Sequence, residues 1–195
     1  MRGLEQIPWL YDSWSWVAER LGLASQRRRL LAGARGRLLE IGCGTGRNLG
    51  LARSAAFVVG IDPSVHVLNR ARRRAPGVPL VRASAHALPF APGVFDGVVS
   101  SLTFCSVPEP ALGLAEVARV LAPSGELRML EHVRAHSVWG ARLQDVVAPL
   151  WTWATGGCHP NRETESAVER AGFQIDPVDR EAHGVLRRFT ARRRV

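Results

Sequence analysis

Residues 38–48, LLEIGCGTGRN, constrain the fold of this chain more than any other stretch. A short apolar run ends at Ile41, and glycines follow at alternate positions, Gly42, Gly44 and Gly46. Glycine enters left-handed backbone regions closed to most residues and lets a ligand touch the main chain. An apolar run feeding such a turn, then a helix-compatible segment from about residue 47, reads as strand, tight turn and helix start. That unit belongs to parallel α/β sheets, whose ligands lie beyond the carboxyl ends of the strands where strand order reverses.

The rest of the chain keeps the alternation. Strands are expected at 37–41, 57–61, 78–82, 95–102 and 126–131, with helices at 64–75 and from Pro110 to about 121. Pro110 suits the first turn of a helix. The run GVVSSL at 97–102 suits a strand buried on both faces. Pro123-Ser124-Gly125 reads as a turn. Residues 136–160 read as helical, ending in TGGCHP. Asn161 reads as the N-cap of a helix that Gly172 stops. Weaker strands follow at 173–178 and 184–192. Strands alternating with helices predict an α/β fold with a mostly parallel sheet and helices on both faces. The 195 residues suit a single domain: a helical, aromatic-rich lid at 1–35 (Trp9, Tyr11, Trp14, Trp16), a cofactor-binding core at 36–135, and acceptor-pocket helices with the last two strands at 136–195.

The formal charge is +9, and all 26 basic residues are Arg. They cluster at 27–29, 72–74 and 192–194, which reads as solvated helix faces and a tail. Attraction to an anionic partner, such as a membrane surface, a phosphate-bearing substrate or nucleic acid, is the competing reading. No apolar run is long enough to span a bilayer and no secretory signal is visible, so a cytoplasmic protein is expected. Cys43, Cys105 and Cys158 stand far apart without a CxxC pair, so free thiols and no metal site are expected.

Two cofactor classes compete for the glycine turn. Dinucleotide folds use G-x-G-x-x-G, whereas this chain has G-x-G-x-G. Glu40, just before the turn, would repel a pyrophosphate but can accept hydrogen bonds from the ammonium of S-adenosyl-L-methionine. Asp62, in GIDPS, ends the second strand, where a carboxylate accepts from both ribose hydroxyls; its alternative is a helix cap.

LLEIGCGTGRN, GIDPS, LPFAPGVFDGVVSSLTFCSV and RVLAPSGELRMLEHVR resemble, in order and interval, the successive motifs of class I S-adenosylmethionine-dependent methyltransferases. The resemblance implies a Rossmann-like, seven-stranded sheet with an antiparallel last strand. It implies cofactor contacts from Glu40, Gly42, Cys43, Gly44, Gly46, Asn48, Asp62, Pro63 and Ser101. Many relatives carry an acidic residue before LPF for the adenine amine. Here Ser84, Ala85 and His86 occupy that loop.

For the acceptor, Leu102-Thr103-Phe104 replaces the [Asp/Asn]-Pro-Pro-Tyr expected of DNA amino methylation, Cys105 lacks the Pro-Cys setting of cytosine C5 methylation, and no carboxylate cluster suggests a catechol-type metal site. The C-terminal motifs EHVRA, PLW, GGCH, NRET and AGF are similar to the methyltransferase-like seven group, whose mammalian members are alkyl-thiol methyltransferases, and to its bacterial relatives. A small apolar acceptor, first a thiol, is therefore expected; the alternative is a lipid head group or quinone precursor at a membrane surface. His132 is a candidate general base, Glu131 its orienting partner or a helix cap, and His159 a candidate on a flexible loop. Tyr11, Trp14, Cys105, Trp151 and Arg162 are candidate acceptor contacts, with core packing or surface ion pairing as the alternatives. A small-molecule acceptor is the expected partner, with peripheral membrane contact as an option, no nucleic acid and no obligate protein partner.

Overall fold

The computed structural model describes residues 19–194. Tyr11, Trp14 and most of the expected lid lie outside that range. The strands are β1 (Gly36–Ile41), β2 (Ala55–Asp62), β3 (Leu80–Arg82), β4 (Phe95–Ser101), β5 (Leu121–His132), β6 (Phe173–Ile175), β7 (Glu181–His183) and β8 (Leu186–Arg193). The helices are α1 (Ala24–Leu31), after a π-helical turn at Glu19–Leu23, then α2 (Val65–Arg74), α3 (Pro110–Val120), α4 (Val138–Ala154) and α5 (Thr164–Arg170).

One sheet runs β3-β2-β1-β4-β5-β8-β6, with β7 beside β8. β1 to β5 pair in parallel, and β8 is antiparallel to β5. The mostly parallel sheet with an antiparallel last strand is as expected. The added strand is β7, which folds back on β8 because Gly184 takes a left-handed φ of 60°. The sheet therefore has eight strands rather than seven.

Side chains on β1 alternate between two cores. Leu39 and Ile41 join Val98, Leu127, Met129 and Phe189 under Leu114 and Val117 of α3 and Val168 of α5. Leu38 joins Val99 and Leu130 under Leu30 and Leu31 of α1, while Leu68 and Ala71 of α2 cover the neighbouring part around Val58. Each such buried aliphatic side chain contributes about 1.5–3 kcal/mol. Arg128 on β5 anchors the end of α1 by donating to the carbonyls of Leu30 (3.1 Å) and Ala32 (2.8 Å), groups that a helix end leaves without internal partners.

Three local expectations change. No α-helix joins β1 to β2 among the described residues. Residues 44–51 form successive turns instead, with Gly46 N–H bonded to Cys43 O at 2.8 Å and Leu51 N–H to Asn48 O at 2.8 Å. Gly44 and Gly46 have φ of 52° and 78°, outside the helical region. The expected turn at Pro123-Ser124-Gly125 is a bulge within β5: Phe95 pairs with Leu121, and the next pair is Gly97 with Glu126. Glu163, not Asn161, sits at the N-cap of α5; Asn161 Nδ2 donates to Asp145 Oδ1 at 2.8 Å.

β1 lies between β2 and β4, so consecutive connections leave it in opposite directions. The ends of β1, β2, β4 and β5 then border one crevice, where Gly42, Asp62, Ser101 and His132 fall.

Candidate active site

The glycine turn is locked from two sides. Asp62 accepts the amides of Gly44 at 3.1 Å and Ser64 at 2.9 Å, one on each carboxylate oxygen. Burial raises its pKa and these two amides oppose the rise. Each oxygen keeps a second lone pair for a ligand hydroxyl. Arg74 clamps the other side, donating to Thr45 O at 2.9 Å and Thr45 Oγ1 at 2.7 Å. Gly42, with φ 63°, lies against Thr103, and a Cβ there would collide with Thr103 Cγ2 and Oγ1. Gly44 is different: a Cβ would meet only the Gly42 carbonyl, at 3.9 Å, so its face opens to the crevice.

Glu40 is buried at the end of β1 and accepts from Asn48 Nδ2 at 2.9 Å. Burial pushes its pKa up to about 7, against the Asn48 bond and the nearby Arg27 charge. Arg27 Nη1 donates to Asn48 Oδ1 at 3.0 Å and Ser101 Oγ at 2.9 Å. Arg27 and Arg74 thus belong to the site, although sequence clustering assigned both to solvated faces. Sequence alone misses them because only the approach of α1 and α2 to the sheet edge turns them inward. Cys43 is buried against Gly60, and its thiol pKa is driven up by burial first and by Glu40 next. Pro63 follows Asp62, and its carbonyl accepts from Arg82 Nε at 3.1 Å.

On the third side, Ser84 Oγ accepts the His86 amide at 3.2 Å, folding the loop after β3 back on itself. Ala85 packs on the core. The His86 Nε2 is buried without a hydrogen-bond partner.

The edge of the crevice beyond β4 and β5 is organised by Glu131, which is fully buried. Its Oε1 accepts Ser100 Oγ (2.7 Å) and the amides of Thr103 (3.1 Å) and Phe104 (3.1 Å), while Oε2 accepts the Cys105 amide (3.2 Å). Burial raises its pKa, opposed by these donors. The turn it holds contains Leu102, the one described non-glycine residue with positive φ, at 56°, and such conformations persist only where surrounding contacts impose them. Arg162 serves the same turn: Nη1 donates to the carbonyls of Phe104 and Val107, each at 2.6 Å. Burial is the main cause of its lowered pKa.

His132 ends β5, with Nδ1 3.6 Å from Cys158 Sγ, and Cys158 Sγ lies 3.4 Å from Cys105 Sγ. Trp151 of α4 stands edge-on to the His132 ring at 6.3 Å. Two cysteines far apart in sequence therefore meet beside a histidine. His159 is exposed, but its amide donates to Cys105 O at 2.8 Å, tying the loop after α4 to the turn after β4.

A parallel sheet with a glycine turn at its switch point and carboxylates ending β1 and β2 defines a class I S-adenosylmethionine-dependent methyltransferase. Residues 39–129 match the family model described as a methyltransferase domain. The chain is 33% identical over 190 residues to the human thiol S-methyltransferase TMT1A, covering 82% of this chain and 78% of that protein. It is 36% identical over 140 residues to a phosphatidylethanolamine N-methyltransferase of Cereibacter sphaeroides, covering 66% of this chain and 69% of that protein. The chain belongs to this methyltransferase family, and its cofactor is S-adenosylmethionine. A solved Thermotoga maritima structure, described as a SAM-dependent methyltransferase and possible histamine N-methyltransferase, superposes with a TM-score of 0.76 over 98% of both chains at 21% identity, and so shares the fold.

The residues present fit that cofactor. The Gly44 face leaves main chain exposed, two carboxylates suit a ligand carrying an ammonium and ribose hydroxyls, and the unpartnered His86 Nε2 offers a polar contact.

Proposed function

We propose that the chain methylates a small apolar acceptor at sulfur. One observation carries this reading. Glu131, the carboxylate at the acceptor edge, is buried and engaged by four donors, which leaves His132, Cys105 and Cys158 as the reactive groups there. A thiol ionises near pH 8.5 and suits an imidazole-and-sulfur environment, whereas an alcohol or carbon acceptor needs a stronger base. The similarity to TMT1A supports the same choice.

S-adenosylmethionine supplies a methyl group activated by its sulfonium, with a neutral thioether as leaving group. Glu40, oriented by Asn48, holds the ammonium, Asp62 the ribose, and Gly42, Gly44 and Gly46 line the ligand with main chain. Ser84, Ala85 and His86 border the adenine, and Ser101 closes the crevice between donor and acceptor. On the acceptor side, Glu131 and Arg162 fix the 102–107 turn and so place Cys105. Trp151 forms an apolar wall, and His132 with Cys158 favours the thiolate form of the acceptor. His159 acts through its amide on Cys105 O. Catalysis in this reading is alignment of sulfur with methyl in line. Incubation with methyl-labelled cofactor and a panel of simple thiols is expected to yield labelled thioethers; phenols labelled in their place would overturn the choice of sulfur.

A second reading, methylation of a lipid head group or quinone precursor at a membrane surface, is favoured by one feature. Trp139, Leu143, Val146, Leu150 and Trp153 form a single stripe along α4 and are 59–78% exposed. Arg142 lies over the Trp139 ring at 5.4 Å. Apolar stripes with aromatic and basic flanks lie in membrane interfaces, and the similarity to the Cereibacter enzyme points the same way. No helix among the described residues is long and apolar enough to cross a membrane. Salt-sensitive binding to anionic vesicles, reduced by Leu143→Ser with Leu150→Ser, and label in phosphatidylethanolamine are the expected results. Indifference to vesicles counts against it.

A further inference from the structure

We propose that Cys105, His132 and Cys158 form a zinc-type metal site whose open fourth position takes the acceptor thiol; the second half rests on the thiol reading above. The three residues come from the turn after β4, the end of β5 and the loop after α4. Their ligand atoms all lie within 4.8 Å of one another, the one such group of three among the described residues.

The spacing is that of a tetrahedral coordination shell. Zinc binds sulfur at about 2.3 Å and imidazole nitrogen at about 2.0–2.1 Å, which gives sulfur–sulfur edges of roughly 3.8 Å and sulfur–nitrogen edges of roughly 3.6 Å. Here Cys158 Sγ is 3.4 Å from Cys105 Sγ and 3.6 Å from His132 Nδ1. The remaining edge, at most 4.8 Å, closes by modest rotation of Cys105 or His132. A disulfide would instead need sulfurs about 2.05 Å apart. Two sulfurs and an imidazole suit zinc rather than magnesium or calcium.

The surroundings hold the backbone that carries both cysteines. Cys105 is fixed through its amide by Glu131 and through its carbonyl by the His159 amide. The Cys158 carbonyl accepts from Thr152 Oγ1 at 2.9 Å. Trp151 packs edge-on against the His132 ring. With both thiols ionised and a dication bound, the site is neutral.

Three protein ligands leave one position open, as in catalytic zinc sites. The acceptor thiol would bind there as a thiolate, its proton passing to water. Its sulfur lone pair then forms the new carbon–sulfur bond as the bond from methyl to sulfonium breaks, with that electron pair staying on the departing sulfur. The thioether product carries no charge, binds the ion more weakly and leaves. No oxidation state changes. His132 favours the thiolate, in this scheme, by holding the ion through Nδ1.

The test uses full-length, reduced, chelator-stripped protein titrated with cobalt(II), whose thiolate charge-transfer and tetrahedral ligand-field bands report the shell. Expected are equimolar uptake, both bands, their loss in Cys105→Ser and in Cys158→Ser, and a shift when a simple thiol is added. Cofactor binding by calorimetry checks that each variant is folded. No thiolate–cobalt band in folded wild-type protein overturns the site, as does full-rate thiol methylation by metal-free protein; in the latter case the thiol reading stands. A band that ignores added thiol overturns the open position. A thiol-responsive band in a protein that forms no thioether supports the site and overturns the thiol reading.

Discussion

Arg27 reaches from α1 to donate to Ser101 Oγ at 2.9 Å, which places a residue of an Arg-rich run between the ends of β1 and β4. The same guanidinium holds Asn48 Oδ1 at 3.0 Å, and Asn48 in turn donates to Glu40. The chain Ser101–Arg27–Asn48–Glu40 orients the carboxylate proposed to meet the cofactor ammonium.

Arg27→Ala is therefore expected to weaken cofactor binding about tenfold, the loss of one to two charge-assisted hydrogen bonds. Isothermal calorimetry measures it. Tighter binding in the variant would show instead that Arg27 competes with the ammonium for Glu40.

The pH dependence of that binding follows from Glu40. Burial raises its pKa to about 7, so the carboxyl is protonated below pH 7 and ionised above. A cationic ligand prefers the ionised form. Affinity should rise as pH increases toward 7 and level off above it, with proton release on binding at pH 6 and little at pH 8. For the free protein the sign is opposite: its folded state holds this proton between the ordinary carboxylate range and pH 7, so Glu40's contribution to stability falls across that window. Calorimetry in buffers of different ionisation enthalpy checks the first, and Glu40→Gln should abolish the proton release.

Glu131→Gln leaves three amides and the Ser100 hydroxyl facing a side chain with one acceptor oxygen and an NH2 that can only donate. The expected loss is about 3 kcal/mol, a fall in Tm of roughly 6–12 °C for a chain of this size. Urea unfolding and calorimetry report it. Unchanged stability with lost activity would mark Glu131 as a catalytic group rather than a positioning one.

Two glycines separate packing from ligand contact. Gly42→Ala drives a Cβ into Thr103 in a left-handed conformation and should destabilise by about 2 kcal/mol or more, partly relieved by Thr103→Ala. Gly44→Ala meets open space and should cost only the left-handed strain, about 1–2 kcal/mol, while weakening cofactor binding more than its stability loss explains. Parallel urea melts and cofactor titrations of both variants distinguish the two roles.

Much of this molecule is local and so could be read along the chain. Apolar runs such as GVVSSL make strands wherever helices cover both faces, and Gly42, Gly44 and Gly46 take the left-handed φ values that their lack of a Cβ permits. The order of motifs points to one edge of the sheet for the same reason, since Glu40 lies one residue before the end of β1 and Asp62 ends β2. Patterns fail where two local signals conflict. Arg47 to Leu51 looks helical but forms successive turns after the left-handed Gly44 and Gly46, and Glu181–His183 becomes a strand only because β8 offers it an edge. What no local pattern could carry is the meeting of distant residues. Arg27 and Arg74 look like surface charge because nothing within a few residues turns them inward. Cys105 and Cys158 look like isolated thiols because 53 residues separate them. The parallel sheet, the return of the chain after α4 and the buried Glu131 close that distance to 3.4 Å beside His132, since ligand geometry depends on through-space contacts that sequence spacing does not encode.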